Sequence, residues 1–120
     1  MTALIDQDAL WERVAGDVGF LATMVDIFVR DVPGRLDAIR TGVRQSDAHV
    51  VERAAHSLKG ALATMAADGA AADAFRLEEI GRSGHLDGAA EILAALERQV
   101  ADVTLALQAL VHDSTPDDAA

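Results

Sequence analysis

One short stretch of the 120-residue sequence gathers residues that could act on a phosphoryl group: Ala55-His56-Ser57-Leu58-Lys59-Gly60. On a helix, His56 and Lys59 stand three residues apart and share a face, with Gly60 one turn beyond His56. A neutral imidazole attacks phosphorus through a ring nitrogen, and the anionic product gains from an ammonium close by. Glycine inside a helix costs about 1 kcal/mol against alanine, so its presence in so alanine-rich a chain requires a reason. A missing Cβ leaves a flat approach beside His56, where the backbone of another protein can come close. A tight contact between two helices of the same fold is the competing explanation. On residue types alone, a surface histidine beside a surface lysine with no chemistry is the commoner case; the spacing and Gly60 bring the two readings level.

These residues need helices to hold them, and the apolar spacing supplies them. The first element is short. Asp6 or Asp8 caps a helix through Ala9, Leu10, Trp11 and Val14; Gly16 ends it, and Asp17 caps the second helix. From about Gly19 to Val43, Leu21, Val25, Phe28, Val32, Leu36, Ile39 and Val43 form one stripe in steps of three and four. Pro33 and Gly34 fall inside it. Proline lacks an N–H and crowds the carbonyl of Val29, which predicts a kink or two consecutive helices. Asp47 caps the next segment, from Ala48 to about Ala66, whose stripe is Val51, Ala55, Leu58, Leu62 and Met65. His49, Glu52, His56, Lys59, Gly60 and Ala63 lie on its flank.

A turn at Ala67-Asp68-Gly69 leads into a helix from about Ala70 to Gly81, closed by Gly84 in the left-handed conformation. Asp87 is the expected cap of the last helix. Its seam of Leu93, Leu96, Val100, Val103, Leu107 and Leu110 is that of a bundle. The fold class is therefore all-α: an antiparallel four-helix bundle with a short additional N-terminal helix, spanning residues 1–112. Residues 113–120 are polar and expected to be a disordered tail.

Composition narrows the function. Acidic residues number 20 against 10 basic ones, a net charge of −10, which disfavours nucleic acid and anionic membrane surfaces as partners. The absence of cysteine removes disulfides, thiolate metal sites and cysteine nucleophiles. No apolar run reaches the ~20 residues of a membrane span, and the N-terminus lacks the basic start of a secretory signal; a soluble cytoplasmic protein is the expectation. No Gly-rich phosphate loop and no Ser-His-Asp pattern is visible.

His56-Ser57-Leu58-Lys59-Gly60 resembles the His-x-Leu-Lys-Gly signature of histidine-containing phosphotransfer (HPt) domains. The resemblance covers nearly the whole chain. Phe28-Val29-Arg30-Asp31-Val32-Pro33 is similar to the second helix of the family, Ala54-Ala55-His56 to its Ala-rich approach, and Leu77-Glu78 with Arg82 and Gly84 to its Leu-Glu…Arg-x-Gly close. It implies a carrier in a two-component phosphorelay. His56 would exchange a phosphoryl group with the aspartate of a response-regulator receiver domain, without autokinase activity or ATP binding. It also implies that Lys59 stabilises the phosphoryl group, Gly60 gives the receiver room, Glu78 hydrogen-bonds the other ring nitrogen, and Arg82 faces the phosphoryl group or the partner. No cofactor belongs to the chain itself, and Mg²⁺ is expected on the receiver. The partners are receiver domains or a hybrid sensor kinase, and the chain is expected to be a monomer. Ala66 stands where the family has a glycine, which predicts that the third helix ends later, at Asp68-Gly69.

Two rivals remain. One is a bundle that acts only as an interaction module, with His56 never phosphorylated. The other is a metal-binding bundle, but His49 and His56 are seven residues apart, too far for one ion on one helix. His49, His85 and His112 read as surface residues, Trp11 as a packing residue, and the Asp26, Asp31 and Asp37 series as a solvated face.

Overall fold

A computed structural model describes residues 3–115. It contains five helices: α1 (Gln7–Arg13), α2 (Val18–Arg44), α3 (Ala48–Thr64), α4 (Asp68–Ser83) and α5 (Ala89–Ser114), with no strand among the described residues. Helices α2 to α5 form the bundle. α3 packs between α2 and α4, and α5 closes the ring against both. The expected stripes are the buried ones, except that Val43 and Leu110 at their ends are only partly buried. Leu21, Ile39, Val51, Leu58, Leu62, Leu77, Leu96, Val103 and Leu107 are fully buried between the four helices. α1 lies outside the ring, with Leu10 buried in the core and Trp11 packed against its edge.

Asp6, Asp17 and Asp47 each accept a hydrogen bond from the backbone N–H three residues on, so each caps its helix as expected. Gly84 takes the left-handed conformation (φ 82°) and ends α4.

Four expectations need correction. α2 is one helix of 27 residues passing through Pro33, not two. Pro33 and Gly34 are exposed, so the carbonyl that proline leaves unpaired faces water rather than the core. α3 ends earlier than predicted, at Thr64, because Ala66 itself adopts the left-handed conformation (φ 56°) that favours glycine. The last helix is not capped by Asp87. Gly88 (φ 83°) is the N-cap residue, and no side chain makes the capping hydrogen bond. α5 also runs on through Asp113 and Ser114, so the expected polar tail begins two residues late; its remainder past Thr115 lies outside the described residues.

The α3–α4 turn is held from outside. Arg13 of α1 donates to the carbonyls of Ala63 (2.6 Å) and Thr64 (2.9 Å) in the last turn of α3, and Ala63 O accepts from the N–H of Ala66 as well. The N–H of Asp6 donates to Ala66 O at 2.9 Å.

α3 and α4 approach closely at Gly81. A Cβ there would lie 2.5 Å from the backbone N of Glu52 and 2.8 Å from the carbonyl O of Ala48. Both are main-chain atoms that cannot rotate away. Gly81→Ala is therefore expected to destabilise the bundle by about 1–3 kcal/mol, the usual effect of overpacking. Gly34, with nothing within 4 Å of its would-be Cβ, serves as the control. Gly34→Ala is expected to stabilise by about 0.5–1 kcal/mol, the helix-propensity gain. Urea unfolding of the two variants checks both signs.

Candidate functional site

The buried stripe of α3 fixes the rotation of the helix. With Val51, Ala55, Leu58 and Leu62 turned inward, His56 and Gly60 must face outward. The His56 side chain is 66% exposed. Gly60 is also exposed, and a Cβ on it would meet nothing within 4 Å. Gly60 therefore serves no helix–helix contact within the bundle; Gly81 and Gly42 fill that role, the latter against Val51 and Val50.

α4 delivers the other half of the site. Leu77 and Gly81 face the core, so Glu78 faces α3 and is only 4% exposed. Its Oε2 lies 3.2 Å from His56 Nδ1 and accepts a 2.8 Å hydrogen bond from Arg82 Nη2. Lys59 Nζ stands 2.7 Å from Oε1, an ion-pair contact set off the ideal hydrogen-bond angle. Lys59 Nζ also lies 4.9 Å from the centre of the Phe75 ring, within cation–π range. Arg82 Nε reaches Glu52 Oε2 at 3.1 Å, linking α4 back to α3.

Lys59, the largest contributor, and then His56 hold the Glu78 carboxyl below its ordinary range, against burial, which pushes it up. An ionised carboxylate only accepts hydrogen bonds, so the proton of His56 belongs on Nδ1. That leaves the Nε2 lone pair free on an exposed ring.

The structure thus brings four of the five sequence candidates, His56, Lys59, Glu78 and Arg82, into one cluster, with Gly60 open beside it. The α3–α4 turn reaches far enough because Ala66 takes the glycine-like conformation. His49 is exposed, its Nδ1 4.0 Å from Glu52. Among the described residues no three His, Asp or Glu side chains gather as a metal site. Sequence reasoning missed Glu52 as the second partner of Arg82, Phe75 beneath Lys59, and the close approach at Gly81. For Gly81 a signal existed: it stands in register with Ala70, Ala74 and Leu77, a small residue on a packed stripe.

An exposed histidine held by a buried acid and flanked by cations, on the flank of an all-helical bundle, defines a protein that carries a group rather than encloses a substrate. Comparison with known proteins agrees. The family model described as "Hpt domain" matches residues 23–112. The crystal structure of histidine-containing phosphotransfer protein B (HptB) from Pseudomonas aeruginosa PAO1 superposes with a TM-score of 0.87 at 26% identity, over 94% of this chain and 98% of that one. A search of the curated proteins finds no match. The chain belongs to the Hpt domain family and is a histidine phosphotransfer protein of phosphorelays, whose partners are response-regulator receivers. No described helix is long and apolar enough to cross a membrane.

The depressed Glu78 carboxyl ties stability to pH. Its contribution is complete above the ordinary value of 4.5 and is lost as pH falls through the lowered folded value. The stability difference between wild type and Glu78→Gln is expected to be largest above pH 4.5 and to shrink below it. Denaturation curves across that range read the trend; a difference that grows with acid contradicts it.

Proposed function

We propose that His56 is the phosphoacceptor, through Nε2. The observation carrying this is the Nδ1–Glu78 contact at 3.2 Å on a ring that is otherwise open to solvent. The Nε2 lone pair attacks the phosphorus of a receiver's aspartyl phosphate. The N–P bond forms as the P–O bond to the aspartate breaks, and the carboxylate leaves with the electron pair. The reverse reaction returns the group, so no water and no nucleotide enter the balance.

Glu78 positions the ring and holds its tautomer. Lys59 and Arg82, both anchored on Glu78, place positive charge beside the ring. Gly60 leaves the backbone bare where the receiver must approach. Among the described residues no Mg²⁺ site is made: the one buried carboxylate there is already committed to Lys59, Arg82 and His56. The ion expected in the reaction therefore belongs to the receiver. The chain acts as a carrier without kinase activity or ATP binding. It acts as a monomer, because each apolar stripe is covered within the bundle.

Incubation with a phosphorylated receiver tests this. Acid-labile, base-stable label is expected on wild type and absent from His56→Gln. Lys59→Ala is expected to slow transfer by roughly 10²-fold, the order seen when one charge-stabilising donor is removed. Gly60→Gln is expected to slow it while leaving the melting temperature unchanged or higher. Label retained on His56→Gln moves the acceptor elsewhere, and no label on wild type leaves a bundle that only binds.

A further inference from the structure

α2 and α3 leave two adjoining grooves between them, and Arg35 of α2 stands in the wall of both. The first is apolar, lined by Met24, Ile27, Phe28 and Met65 among others, and Ile27 is half exposed at its edge. The second, about 730 Å³, has a floor of small residues and is bounded on the α3 side by Arg53 and by Ser57, the neighbour of His56 in the chain.

Arg35 Nε is buried and has no hydrogen-bond partner. Neither Arg35 nor Arg53 takes part in an ion pair among the described residues. Asp31, one turn earlier on α2, lines both grooves and still does not pair with Arg35. The Nη groups of Arg35 are not buried and make no hydrogen bond, so the outer edge of the guanidinium is open to an acceptor that a partner brings into the grooves. Two unpaired guanidinium groups facing one groove, in a chain of net charge −10, point to an acidic occupant.

We infer that Arg35 is a specificity-determining residue for the receiver. It takes a carboxylate from the docking surface of the receiver, while an apolar side chain of the same partner fills the neighbouring groove. This rests on the phosphorelay reading above. A planar guanidinium suits the role because it grips a carboxylate with two parallel N–H donors, which an ammonium cannot do.

The test uses each receiver domain of the source organism, phosphorylated with acetyl phosphate, as donor to the full chain. Transfer is followed against receiver concentration at low and high salt for wild type, Arg35→Gln, Arg35→Lys and Arg98→Gln. Arg98 is an exposed cation on α5 and controls for net charge. Arg35→Gln is expected to raise the half-saturating receiver concentration roughly tenfold or more, with the saturated rate little changed. It is also expected to flatten the salt dependence. Arg35→Lys recovers part of the loss, and Arg98→Gln matches wild type. Arg35→Lys also decides the matter if Arg35→Gln melts early. Equal half-saturation for wild type and Arg35→Gln, or equal losses in Arg35→Gln and Arg98→Gln, overturns the inference while the phosphorelay reading stands. Absence of label on wild type from every receiver overturns both.

Discussion

A carboxylate that is 4% exposed must be paired or it must be neutral, and Glu78 is paired three times. The rest of the site depends on that constraint. Glu78 gains His56, Lys59 and Arg82 as partners only because α4 lies so close to α3, and α4 lies so close because Gly81, three residues on, has no side chain. The backbone contact and the buried charge form one arrangement. Opening the helices would expose the carboxylate and free both cations. Removing the carboxylate would leave Lys59 and Arg82 without the anchor that brings them to the ring.

Stability and chemistry occupy opposite sides of α3. One stripe, Val51-Ala55-Leu58-Leu62, is completely buried and fixes the rotation of the helix. The other side presents an imidazole and a bare glycine to solvent. His56 follows the buried Ala55 and precedes the buried Leu58 by two, so the side of the helix it leaves from is set by hydrophobic burial, and its contact with Glu78 then orients the ring. At the far end of α3, Arg13 and the N–H of Asp6 donate to carbonyls of the last turn and of Ala66, two residues beyond it. α3 is thereby secured along its core stripe and at its C-terminal end, while its outward face stays open.

What could be read from the sequence was what repeats along a helix. The stripes, the caps at Asp6, Asp17 and Asp47, and Gly84 are local signals, and each appears where the spacing placed it. What could not be read was the outcome of competition between distant parts. Pro33 looks like a break until its position on the solvent side of a long, well-packed stripe shows that its missing hydrogen bond is left to water. Ala66 looks like a lost glycine until the bundle compels it into the left-handed region, a strain on the order of 1–2 kcal/mol that packing of α3 on α4 outweighs. Asp87 looks like a cap, but Gly88 turns the chain first. Arg13, Glu52 and Phe75 gave no sequence signal, since each acts on a residue far away in the chain or on another helix.

Charge balance looks different at the scale on which a partner meets the surface. The chain as a whole is strongly acidic, which would oppose docking of the acidic phosphorylation site of a receiver. Physiological salt limits each charge to a reach of about 8 Å, so a docked partner senses only the local set. Around His56 and the adjoining α2–α3 grooves that set is Lys59, Arg82, Arg53 and Arg35 against Glu52, Glu78 and Asp31; Lys59 and Arg82 are engaged with Glu78 and Glu52, and Arg35 and Arg53 are in no ion pair among the described residues. The surface around His56 therefore carries a small local excess of positive charge within an anionic molecule. Distant acids keep wrong contacts weak without opposing the right one, which suits a carrier that must bind, transfer and release.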